Sequence, residues 1–139
     1  MTLNINKFLT HFIPTFIVLF VIHFLLVRAV PNGLGMSQKI LIESYVFLFL
    51  LTLVHFLALR WLFKKWPKYS GLLFTALSLI KMGLCILYLF PYIFPPNEKS
   101  IPIALNFMVD YFILLTFEVV FLVKNMNMII EMKRANKNQ

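Results

Sequence analysis

Five ionisable residues stand inside long apolar runs of this chain: Lys81, Asp110, Glu118, His55 and His23. A charge at membrane depth is costly. Side chains of this kind therefore face a bundle interior, pair with one another, or carry protons and cations. Lys81 lies about ten residues past Gly71, where its run begins, which is ~15 Å into a helix rising ~1.5 Å per residue. A lysine stem snorkels only several ångströms, too little to reach an interface comfortably from that depth. It needs a carboxylate. Asp110 and Glu118 lie on one stripe, within ~80° of each other around a helix, and Asn106 extends that stripe by a turn. Counted back from Lys124, Glu118 is ~9 Å and Asp110 ~21 Å from the end of their run, and Lys81 falls between them in depth.

The other two runs contribute histidines. His55 is ~12 Å from Phe63, with Thr52 one turn earlier on the same face. His23 falls at a depth similar to that of Asp110. Ser78, Lys81, Cys85 and Tyr88 follow the i, i+3, i+7, i+10 spacing of one helical face. All four runs can thus turn a polar stripe toward a common interior, with Lys81 in reach of Glu118, Asp110 or both and His55 nearby. Glu118 is the better partner. Side chains tilt toward their own helix N-terminus, so Lys81 and Glu118 lean toward each other while Asp110 leans away. Such a set can fix helix register and partner choice, or it can form a proton or cation pathway or a ligand site. Glu43, one turn after Lys39, and His11 read as interfacial.

The elements that must hold these residues follow from composition. Of 139 residues, 61% are hydrophobic, only 13% are charged, and 16 are Phe. A soluble domain carries about 25% charged residues, and this chain has too little polar surface to cover a water-soluble globule. Four spans are expected, roughly 8–29, 40–63, 71–94 and 102–124, each able to cross ~30 Å of hydrocarbon. Residues 125–139 read as a frayed, solvated polar tail. Loops this short join adjacent neighbours, so the expected fold is all-α: a single integral membrane domain built as an antiparallel four-helix bundle. Continuous rather than alternating apolar runs argue against a β-barrel. The run from Phe8 to Val27 exceeds the ~7–15 residues of a signal-peptide core and reads as a retained span.

Orientation follows from the basic residues. Lys7, Arg60, Lys64, Lys65, Lys68, Lys124, Lys133, Arg134 and Lys137 share one side, and only Arg28, Lys39 and Lys99 lie on the other. That bias places both termini and the middle loop in the cytoplasm, and a bacterial inner membrane is the expected location. Trp61, Trp66, Tyr69, Tyr88 and Tyr92 lie near span ends, as interfacial aromatics do. The net charge of +8 sits beside the spans, so it reads as membrane topology rather than nucleic-acid binding. Cys85, the lone cysteine, reads as a packing residue. No HExxH, glycine-rich phosphate loop or supported Cys–His or Ser–His–Asp arrangement is present. The expectation is a protein without catalytic residues, cofactor or metal site, and not an enzyme.

Four short helices, a basic middle loop, Ser78-Leu79-Ile80-Lys81-Met82, and Asn106-Phe107-Met108-Val109-Asp110-Tyr111-Phe112 leading to Phe117-Glu118 resemble a group of small uncharacterised bacterial membrane proteins. That group is similar to ATP synthase protein I, and Lys81, Tyr111, Phe112 and Glu118 carry the likeness. The resemblance implies an accessory role in assembling or stabilising the rotor ring of the rotary ATP synthase, with other membrane helices as partners. The alternative is a small oligomeric proton or cation transporter using the polar interior. Small multidrug exporters have this size but place their essential carboxylate in span one, which here has none.

Overall fold

An apolar run in hydrocarbon becomes a helix because a helix satisfies its own backbone groups. The computed structural model describes residues 3–137 and has four helices: α1 (Ile5–Ala29), α2 (Gln38–Lys65), α3 (Ser70–Ile93) and α4 (Ser100–Lys137). Each contains a window of mean hydropathy between 1.8 and 2.2 and is long and apolar enough to cross a membrane. The helix ends fall within a few residues of the boundaries read from the sequence, with one exception. The segment after Lys124 is not a frayed tail: α4 continues through it to Lys137. Asn138 and Gln139 lie outside the described residues.

Local chemistry sets the ends. The Asn4 side chain accepts from the backbone N–H groups of Asn6 and Lys7 at 3.0 and 3.3 Å, and Ser37 Oγ accepts from Ile40 N–H at 3.3 Å. Each therefore satisfies amides that a helix start leaves unpaired. Helix α3 accommodates Pro91 and stops at Ile93, just before the consecutive Pro95-Pro96, neither of which can donate an amide to continue it.

Consecutive helices pack against one another, and α4 also packs against α1, closing the arrangement. The apolar windows of α2 and α4 are 39% buried and those of α1 and α3 17%, so α2 and α4 supply most of the interior. Aromatic rings fill it. Phe8 stacks on Phe56 with centroids 3.8 Å apart, and Phe121 meets both rings edge-on. Toward the other end Phe47 stacks on Tyr88 at 4.2 Å, with Phe107 alongside. The outside is aliphatic and aromatic, with Leu72, Leu87, Phe94 and Ile101 among its most exposed side chains.

The connection between α1 and α2 is a tight 3-10 turn, Pro31–Gly35, in which Asn32, Leu34 and Gly35 all have positive φ. It is seated on α4: the Asn106 amide donates to the Leu34 carbonyl at 3.1 Å, and a Cβ placed on Gly35 would overlap the Pro102 side chain. Gly35 thus needs its missing side chain twice, for its φ of 74° and for this close approach. Gly35→Ala is expected to destabilise the fold by about 1–3 kcal/mol, read as a lowered denaturation midpoint of the purified protein in detergent. An unchanged midpoint would mean that the turn does not bear on α4.

Candidate functional site

The five residues singled out from the sequence are all buried, but they form two clusters rather than one. Helix direction accounts for the split. Side chains lean toward the start of their own helix, so Glu118 leans toward the middle of α4 and Asp110 toward Asn106 and the helix start.

The first cluster joins α2, α3 and α4. The Lys81 ammonium donates to Glu118 Oε1 at 2.7 Å and to Thr52 Oγ1 at 3.1 Å, and it lies 5.9 Å from the centre of the Tyr111 ring. Lys81 and Glu118 are each only 2% exposed. This is a charge-assisted bond of the short, strong kind. On the far side of the carboxylate, His55 Nδ1 sits 3.1 Å from Glu118 Oε2. The two atoms are close but not in line for a hydrogen bond, and neither they nor His55 Nε2 have another partner. Ser78 Oγ is likewise enclosed without a partner, and Cys85 is a buried free thiol next along the same face.

The second cluster joins α1, α2 and α4. Asp110 is the acceptor at its centre. Tyr45 donates its hydroxyl to Asp110 Oδ1 at 2.8 Å, and His23 Nδ1 lies 3.1 and 2.9 Å from Oδ1 and Oδ2. His23 Nε2 faces Asn106 Oδ1 at 3.2 Å. The orientation of the Asn106 amide is fixed independently, because its nitrogen donates to the carbonyls of Leu34 and Pro102 at 3.1 and 2.8 Å. Its oxygen must therefore accept, and His23 Nε2 must carry a proton. His23 Nδ1 also lies 3.2 Å from the Tyr45 hydroxyl; its shorter approach to Asp110 Oδ2 at 2.9 Å calls for one further proton between ring and carboxyl, with which the pair is neutral overall. Asp110 was a candidate partner for Lys81 on depth alone; here it belongs to His23 and Tyr45.

Tyr45 is the site residue that sequence reading missed. Its signal was the face of α2 on which it lies: Tyr45, Leu48, Thr52, His55 and Leu59 repeat at helical spacing, and all are buried. Two expected interfacial aromatics also turn inward. Tyr92 donates to Glu43 at 3.0 Å and the Tyr88 hydroxyl is 3.4 Å from Ser44 Oγ, both half-buried, whereas Trp61, Trp66 and Tyr69 are exposed. Glu43 also lies 3.8 Å from Lys39, and His11 is exposed. Among the described residues, no three His, Cys, Asp or Glu side chains converge as a metal site would need.

The second cluster is not sealed. A groove of about 460 Å³ opens between α1 and α4, and His23, Asn106 and Asp110 line it among aliphatic side chains. No protein-family model, curated protein or solved structure matches this chain.

Proposed function

We propose that this chain is a multi-pass accessory protein of a bacterial inner membrane that binds other membrane helices and assists assembly of the rotor ring of the rotary ATP synthase. The observation that carries this reading is the division of its surface from its interior. All five membrane-depth ionisable residues are engaged within the bundle, and the outside offers aliphatic and aromatic side chains on every helix. Internal ion pairs fix which helices associate and in what register, and an apolar exterior with close-packing side chains is what meets a neighbouring helix in lipid. The resemblance to ATP synthase protein I supplies the class of partner. Photo-crosslinking through exposed positions such as Leu72 or Leu87, in native membranes, is expected to capture membrane subunits of the synthase. Capture of none would sink the assignment.

The helices run up, down, up and down, with both termini cytoplasmic. Contact order supports this. Phe8 meets Phe121 while His23 meets Asp110, so numbers rise along α1 as they fall along α4. Lys81 with Glu118 and Tyr88 with Phe107 repeat the relation for α3 and α4, and Phe8 with Phe56 and Phe16 with Tyr45 for α1 and α2. Reporters fused after Gln139 and within 64–69 are expected to read cytoplasmic, and one within 95–100 external, because basic residues stay inside. A cytoplasmic signal near Pro96 would overturn the topology.

One feature favours the second reading, a proton or cation transporter. Glu118 Oε2 and His55 Nδ1 lie 3.1 Å apart and are bound to nothing else, a spacing across which a proton can pass. Purified protein in liposomes under a pH gradient separates the readings. Flux that is lost in Glu118→Gln would favour transport, and a silent vesicle favours the accessory role.

A further inference from the structure

The groove between α1 and α4 has walls and a floor of opposite character. Ile22 and Leu26 on α1 face Leu105 and Val109 on α4, and these four are 49–59% exposed. The floor is His23, Asn106 and Asp110. A volume of about 460 Å³ falls in the range of small-molecule sites, about 300–1,000 Å³, which are mostly apolar with a few placed polar groups.

The hydrogen-bond inventory of the floor is one-sided. Both Asn106 amide hydrogens are taken by the carbonyls of Leu34 and Pro102. Both His23 nitrogens face acceptors, and the Tyr45 hydroxyl is spent on Asp110. Among acceptors, Asp110 Oδ1 is approached by both Tyr45 and His23. Among the described residues, Asp110 Oδ2 and Asn106 Oδ1 each face His23 alone as a donor, and an sp² oxygen has two acceptor sites. What the floor lacks is a donor. Charge narrows the class: the His23–Asp110 pair is neutral overall, so nothing there compensates a charged head. Asn106 and Asp110 lie ~9 and ~15 Å from the start of α4, deeper than a phosphate or ammonium head goes without large cost.

We propose that this groove binds a lipophilic molecule with a neutral hydroxyl, its O–H donated to Asp110 Oδ2 or Asn106 Oδ1 and its chain lying between the walls. This site does not depend on the protein partner assigned above. The probe is dodecanol carrying a diazirine on its chain, photolysed with the full-length protein in phosphatidylcholine nanodiscs, and the adducts are mapped by mass. Adducts are expected on the peptides holding Ile22–Leu26 and Leu105–Val109. A roughly tenfold excess of unlabelled dodecanol is expected to reduce them about tenfold, and the same excess of dodecane, weaker by the roughly tenfold worth of one hydrogen bond, no more than about twofold. Val109→Trp fills the groove from an exposed wall, leaves the polar cluster intact, and is expected to reduce them as much. Three results would overturn the proposal: dodecane competing as well as dodecanol, adducts spread evenly over the four helices, or adducts unchanged in Val109→Trp.

Discussion

Lys81→Met is expected to lower the protein's stability by about 3–5 kcal/mol, the cost of breaking a buried ion pair by removing one partner, and to cut its steady-state abundance severalfold. Methionine matches the lysine stem in length, so little packing is lost. The loss arises at Glu118. Its Oε1 accepts from Lys81 at 2.7 Å, the residue is 2% exposed, and its other oxygen already lacks an in-line partner. Without the ammonium, a carboxylate is stranded between three helices. Glu118→Gln in the same chain removes the stranded charge and is expected to recover part of both losses. The single Glu118→Gln leaves the lysine charge without its counter-charge instead, with the neutral amide oxygen and Thr52 Oγ1 as its acceptors, and should also be destabilising, though less than Lys81→Met. Denaturation of the three variants in one detergent, beside blots of membranes, measures this. A double variant no better than either single one would remove the pair as a stabilising element.

Lys81 and Glu118 were legible because the physics is severe and local. A mid-span lysine must find an anion, and helix direction chooses between two carboxylates eight residues apart. Helix count and ends were legible for the same reason, since hydropathy and proline positions decide them before packing does. The partner of Asp110 was not legible. Depth placed both Lys81 and His23 near it, and choosing between them requires knowing that α1 closes against α4, a matter of lateral arrangement that periodicity does not encode. Tyr45 was passed over because its spacing marks it only as part of a helical run; only the lateral placement of α2 beside α4 brings its hydroxyl to the Asp110 carboxylate. The extension of α4 beyond Lys124 was hidden too. Its Lys- and Asn-rich composition has adequate helix propensity, but its apolar residues, Met126, Met128, Ile129, Ile130 and Met132, are too interrupted by polar ones to read as a continued span.

Asp110→Ala is expected to lose about 1–3 kcal/mol, because it removes the acceptor that the Tyr45 hydroxyl and His23 Nδ1 share and leaves the hydroxyl only the long contacts to the Leu19 carbonyl at 3.5 Å and His23 Nδ1 at 3.2 Å. Asp110→Asn should behave quite differently, and the proton inventory says why. With the amide oxygen toward Tyr45, that hydroxyl keeps its acceptor. The amide nitrogen then faces His23 Nδ1, which accepts once the ring carries its proton on Nε2 alone. Nε2 continues to donate to Asn106 Oδ1, whose orientation is held by Leu34 and Pro102. Every bond of the cluster survives with no ionisable carboxyl left in it. Asp110→Asn is therefore expected to stay within about 1 kcal/mol of the parent, while any proton taken up or released at this position disappears. The same denaturation series decides the matter. Should Asp110→Asn fall as far as Asp110→Ala, the cluster is held by a full imidazolium–carboxylate charge pair rather than by its pattern of donors and acceptors, and the shared-proton reading of His23 and Asp110 is wrong.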